Sequence, residues 1–293
     1  MSCRPAGSRV PRVLSASVAA VLLLPALLVA RQNKAIDRSL PEIKQLLSEV
    51  QENQKRLESV VDQYSCTENE EVRELDKNGR VKKTIVKEYE DFYLGGVLVR
   101  REVKKDGKPL APDEQKKEDG RIEKRIREYE KRKEQGGEEA AQRNEKIDVS
   151  TILRSSNFTH PRWEHFRGHD VIVFDFAPNP DYRPRNKTED LLHKLEGTLW
   201  VDESARQVVR LEAHLSDTLK LAGGLLASIR RGSSLVMEQA KMNNEVWLPS
   251  YVEAHFSARV LLLAGALGNY TSNFSDYKKF RVETVSGSSK SRN

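Results

Sequence analysis

Three histidines and two acids crowd one short stretch of the chain: His160, His165, His169, Asp170 and Asp175. Imidazole and carboxylate together are the donor set of a zinc site or of acid–base catalysis. The spacing argues against both. His165 and His169 flank Arg167-Gly168, which reads as a hairpin turn, so they share no helix face, and no His-Glu-x-x-His occurs. Asp175 has no second carboxylate placed with it, so pairing with an arginine on a neighbouring strand is the favoured reading. His193, His214 and His255 are scattered. The chain contains no Gly-x-Ser-x-Gly elbow, P-loop or dinucleotide fingerprint. No catalytic residue, metal ligand or cofactor is therefore expected. Cys3 and Cys66 are the only cysteines, too few for a disulfide framework, and Cys66 is expected to be a buried small side chain.

The apolar runs carry more information. Leu219, Leu221, Leu225, Leu226 and Ile229 surround Gly223-Gly224, and Val260 to Leu263 precede Ala264-Gly265-Ala266-Leu267. Alternation is lost in both, so both faces are apolar. Such a stretch is either a strand covered on both sides or the wall and mouth of a cavity for an apolar ligand. Trp200, Leu221, Leu225, Trp247, Phe256 and Leu262 are the candidate lining residues on the second view.

These residues need a sheet to hold them. Ser39-Leu40-Pro41-Glu42 has the form of a capping box. Apolar residues at Ile43, Leu47, Val50, Leu57 and Val61 then give the period of an amphipathic helix, broken at Gln54. After Tyr64 the period changes to two. Glu70–Leu75 and Val81–Tyr93 flank the turn Asp76-Lys77-Asn78-Gly79, and Ile85, Tyr89 and Tyr93 share a face. Residues 112–146 are sparse in apolar side chains and dense in Lys, Arg and Glu, which predicts a solvated helical excursion, interrupted at Gly136-Gly137. From Phe158 the chain reads as strand almost to its end. Val209, Leu211, Ala213 and Leu215 are expected on one face, as are Leu248, Val252, Ala254 and Phe256 on a later strand. Many antiparallel strands at short spacing predict a mainly β, α+β fold: a curved antiparallel sheet or half-open β-barrel with helices on its concave side.

Arg4, Arg9 and Arg12 precede an apolar run from Val13 to Ala30, and residues 1–30 contain no acid. A positive flank followed by an apolar core is the pattern of a secretory signal. An anchor through residues 13–30 is the alternative, because 18 largely apolar residues can just span a bilayer. Without these residues the net charge falls from +6 to +3, so a basic nucleic-acid footprint is not supported.

Two local patterns sharpen the reading: Gly197-Thr198-Leu199-Trp200-Val201-Asp202 followed by the strand 208–215, and Val246-Trp247-Leu248-Pro249 opening a long strand. Phe274-Ser275-Asp276-Tyr277-Lys278-Lys279-Phe280 closes the series. In these motifs the chain resembles the periplasmic lipoprotein-carrier superfamily, the LolA/LolB-like proteins, especially their outer membrane lipoprotein-sorting relatives. The likeness is best over residues 158–285 and architectural over 40–105. It implies a signal or anchor at 1–30, one barrel-like domain at 31–285 with the charged excursion at 106–146, and a disordered tail at 286–293. It also implies a hydrophobic cavity for the acyl chains of lipid or lipoprotein, peripheral membrane contact, and a periplasmic or otherwise exported location. The alternative function is an envelope-stress or assembly module that binds a partner protein through the charged helix, without lipid transport.

Overall fold

The computed structural model describes residues 38–94, 97–142, 149–184, 189–221, 227–260 and 266–279. The first helix, α1 (Ile43–Glu58), starts three residues later than a cap at Ser39 would place it. Glu42 is its cap instead, and its carboxylate accepts from the free N–H groups of Lys44 and Gln45. A carboxylate there also meets the positive end of the helix dipole. The helix buries Leu46, Val50 and Gln54, so the residue that breaks the apolar period still faces inward.

Three long strands follow: β1 (Tyr64–Leu75), β2 (Val81–Leu94) and β3 (Val97–Lys105), with a two-residue β4 (Lys108–Pro109). In the first turn Asp76 Oδ1 accepts from the N–H groups of Asn78 and Arg80, and Gly79 takes a positive φ of 79°. The charged segment forms α2 (Pro112–Gln142), broken at Gly137, and α3 (Val149–Ser155) follows. The remaining strands are β5 (Ser156–Phe166), β6 (His169–Pro178), β7 (Leu195–Asp202), β8 (Gln207–Leu215), β9 (Leu219–Leu221), β10 (Ala227–Ile229), β11 (Ser234–Met242), β12 (Val246–Val260) and β13 (Ala266–Lys279).

All thirteen strands among the described residues join one antiparallel sheet in the order β4-β3-β2-β1-β13-β12-β11-β8-β7-β6-β5, with β9 and β10 branching from β12. The sheet does not close, and β4 and β5 are its edges. The predicted strands and helices appear where the period of two and the turn residues put them. Among the described residues, strands β1 to β3 are joined to the second half of the sheet only through β13, the last of the described strands in sequence.

Helices α1 and α3 lie on one face of β6, β7 and β8. Leu46, Val50, Val149, Ile152 and Leu153 pack there on Ile172, Phe174, Phe176, Leu199, Val201 and Leu211. Burying side chains of this size contributes roughly 1.5–3 kcal/mol each, which makes this layer the main source of stability. Val209 was expected on this face with Leu211, Ala213 and Leu215. The register slips between Trp200 and Val201, so Val208 takes the inward place and Val209 packs with Val171 and Val173 in a second cluster.

Candidate functional site

Directly opposed residues of an antiparallel pair point to the same side of the sheet. One register row can therefore be followed across eight strands: Phe174, Leu199, Leu211, Met237, Val252, Ser272, Glu70 and Lys87. The helix-bearing face thus changes character along its length. It is apolar from β6 to β12, and polar from β13 to β2.

The apolar half holds a cavity of about 260 Å³ between α3 and the strands β8, β11 and β12. Its wall includes Ile152, Leu211, Leu215, Ile229, Met237 and Phe256. Ser233, Ser234 and His255 supply the polar part of the wall. Phe256 is opposed by Gly268, and a side chain added at Gly268 would lie 2.7 Å from the Phe256 ring. The missing side chain is what gives the ring its place.

The polar half was not foreseen from the sequence. Glu68, Glu70 and Asp91 are all buried, and one guanidinium serves them. Arg100 Nε donates to Glu68 Oε2 at 2.7 Å and Arg100 Nη2 to Glu70 Oε2 at 2.9 Å, whereas Asp91 Oδ1 lies 3.9 Å from Arg100 Nε. Tyr270 donates to Glu68 Oε1 at 2.9 Å, Ser272 donates to the same oxygen, and Tyr89 donates to Glu70 at 3.3 Å. Asp91 Oδ1 is buried and has no hydrogen-bond partner. Burial, with the Glu68 carboxylate beside it, pushes the Asp91 carboxyl up to about 7. Next to it the Cys66 thiol is pushed up to about 12, first by burial and then by Asp91. That holds the thiol protonated and unreactive at neutral pH.

Helix α2 covers this half and is more than a solvated excursion. Tyr129 is 1% exposed and packs on Val97. Strand β3 is open along much of its outer side, because β4 pairs only with Lys104 and Lys105. Two side chains of α2 fill that opening: Glu118 accepts from the Glu102 N–H at 2.9 Å, and Arg121 donates to the Arg100 carbonyl at 2.5 Å. The helix thus completes hydrogen bonds that another strand would otherwise supply. A polar cavity of about 380 Å³ remains between them, lined by Lys87, Tyr89, Arg100, Glu102, Glu118 and Arg121 among others.

The sequence-derived residues divide between these places. Phe256 lines the apolar cavity. Trp200 and Trp247 do not: they pack together with Phe166, Val171, Val173 and Val209. Trp200 faces away from α1 and α3 because it alternates with Leu199 and Val201, which face them; its Nε1 donates to Glu164 at 3.3 Å. Leu221 ends β9, and Leu225 and Leu262 lie outside the described residues. The histidines are not brought together. His160 meets Asp175 at 3.1 Å, His165 meets Asp170 at 3.1 Å, and His169 meets Asp202 at 2.7 Å. Asp175 also takes Arg162 from the neighbouring strand at 3.1 Å. Asp202 accepts from Ser204 Oγ and from the Ala205 N–H, so Ser204 is bonded to the acid rather than to an imidazole. That arrangement clamps the β7–β8 turn.

Among the described residues no helix is long and apolar enough to cross a membrane. No family model matches the chain, and no curated protein matches it significantly. Solved structures similar to it include a domain described as a putative outer membrane lipoprotein-sorting protein from Vibrio parahaemolyticus, at 12% identity and a TM-score of 0.34, covering 81% of this chain and 93% of that one. A DUF1329 family protein from Desulfovibrio piger is similar at 10% identity and a TM-score of 0.33, covering 82% of this chain and 94% of that one. MucB, solved in complex with MucA(peri), is similar at 10% identity and a TM-score of 0.21, covering 82% of this chain and all of that one. The first carries the description that the motifs of β7, β12 and β13 suggested. Likenesses of this size are similarities of description and carry no function over to this chain.

Proposed function

We propose that this chain is an exported, non-enzymatic binding protein that takes an apolar chain, from a lipid or an acylated protein, into the cavity beside Phe256. One observation carries the reading: the helix-bearing face keeps an open apolar hollow of about 260 Å³ walled by Ile152, Leu211, Leu215, Ile229, Met237 and Phe256. That volume is slightly below the range of about 300–1,000 Å³ for small-ligand sites, and it suits one slender chain rather than a bulky ring system. Each CH₂ buried there is worth about 0.8 kcal/mol, so a long chain gains affinity without any charged contact. The sequence segments 222–226 and 261–265 are apolar, and the described strand ends beside them adjoin the hollow: Ala227 pairs with Val260 on the strands that carry Ile229 and Phe256. The arginine-flanked run at 13–30 supports export.

Mass spectrometry of organic extracts from protein purified without detergent tests the proposal. Recovery of an acylated compound, reduced in a Phe256→Asp variant that still melts cooperatively, is the expected result. Protein free of lipid that captures an envelope protein through α2 would favour the partner-binding alternative instead.

A further inference from the structure

A different observation concerns the buried acids at the other end of the same face. We propose that Glu68 and Asp91 hold one proton between them, and that this proton keeps β2, β3 and α2 closed on one another. The geometry argues for it by charge balance. Glu68, Glu70 and Asp91 are withdrawn from water around the single guanidinium of Arg100. With all three ionised, two negative charges would stand uncompensated in a buried site, which is strongly unfavourable. Three donors, Arg100, Tyr270 and Ser272, converge on Glu68. No donor reaches Asp91 Oδ1. Glu68 lies beside Asp91 and bears on its carboxyl, and two neighbouring buried carboxylates repel when both are ionised. The shared proton therefore sits on Asp91.

Among the described residues the groups that face the pair are mostly neutral or already paired. On β1 the neighbours are Cys66 and Glu70, on β2 Tyr89, and on β13 Tyr270 and Tyr277. Burial pushes Tyr270 and Tyr277 upward, so they stay neutral donors. Asp62, in the short 3-10 turn that touches β2, is exposed. Lys87 is taken by Glu102 at 2.6 Å and Arg121 by Glu118 at 2.6 Å, and Arg125 lines the polar cavity beyond them. Losing the proton sets a second carboxylate charge against Glu68 across the β1–β2 pair, and Arg100, already shared by Glu68 and Glu70, cannot neutralise it. Arg100 sits on β3, which α2 holds through Glu118 and Arg121, so the repulsion loosens β2, β3 and α2 from β1 together.

The sign follows from linkage. The closed state binds a proton that an opened, hydrated Asp91 releases at about 3.9. Opening of β2, β3 and α2 should rise about tenfold per pH unit between about 4 and 7, then level off. Hydrogen–deuterium exchange, corrected for intrinsic rates, would show the protection of these amides falling over that range while those of β6, β7 and β8 keep theirs. In Asp91→Asn the dependence should be lost, with protection held at the acid-side level. Carboxyl-carbon NMR titration of the unaltered protein gives the answer without any variant, should Asp91→Asn fail to fold. An Asp91 midpoint in the ordinary range near 4 would overturn the shared proton. A neutral midpoint with identical pH profiles for β3 and β7 would overturn its control of the seam.

Discussion

Gln54 Nε2 on α1 donates to Gln207 Oε1 at the start of β8 at 2.7 Å, and Gln54 is only 1% exposed. This bond fixes the helix against the sheet in one register. Asn53 supports it by donating to the carbonyls of Ala205 and Arg206, and Glu49 by pairing with Arg206 at 2.8 Å. Gln54→Ala should cost about 2 kcal/mol, because Gln207 then keeps a buried oxygen without a donor. Replacing both by Leu should cost much less than either single change, since no polar atom is left stranded. A double-mutant cycle from urea denaturation measures the difference.

Removing Arg100 should be among the most damaging changes on the surface-facing strands. Arg100→Met leaves Glu68, Glu70 and Asp91 without a counter-charge, at a cost of roughly 3 kcal/mol. The loss should shrink on acidification, because protonation of Asp91, whose carboxyl is pushed up to about 7, then removes part of the repulsion. Thermal melts of the variant and the parent at pH 5 and pH 8 should show the larger gap at pH 8.

Deleting residues 112–142 should not be neutral. It uncovers the outer side of β3, with the Glu102 N–H and the Arg100 carbonyl free, and exposes Val97. Concentration-dependent self-association in light scattering is the expected outcome, since an unguarded strand edge templates pairing. A Glu118→Ala, Arg121→Ala double variant, which keeps the Tyr129 contact, should associate more weakly.

Gly268→Ala should act on the cavity rather than on the fold class. The added methyl meets the Phe256 ring at 2.7 Å and the Arg73 carbonyl at 3.0 Å, so the ring must turn away. A cost of about 1–3 kcal/mol is expected for overpacking. Binding of an apolar fluorescent probe should change more than in Ala254→Gly, a change on β12 that adds no atom against the ring.

The layer that holds α1 and α3 was legible because its strands alternate cleanly: Ile172, Phe174 and Phe176 point one way along β6, and the helix period brings Val50 to meet them, with Leu46, outside the period as read, buried beside it. The sheet face on which Phe256 lies was legible for the same reason. The polar half was not, since glutamates at 68 and 70 look like a solvated strand face. The signal was present in parity. Glu68 and Glu70 fall in step with Cys66 and Val72, and Asp91 falls between Tyr89 and Tyr93, the face already marked as inward. In α2 the stripe Ile122, Ile126 and Tyr129 has helical spacing but is diluted by charge, so its contact with β3 was missed. Trp200 was misplaced because its motif marks a strand without saying which face looks inward. Val209 was misplaced because a bulge shifts parity, and no residue type announces one.

The pairing of β1 with β13 has a consequence for how the molecule is made. Glu68 and Tyr270 stand 202 positions apart, and they meet across the seam that joins the two halves of the sheet. As the chain emerges from the ribosome, β1, β2 and β3 can form a local hairpin stack and α2 can seal its outer side. The inner side of β1 keeps its backbone groups unpaired until the last strand has been synthesised. Closure over so long a loop is slow, and an open strand edge is vulnerable to aggregation while it waits. Truncations that stop short of residue 266 should therefore be insoluble even though they retain the whole α1–β8 layer.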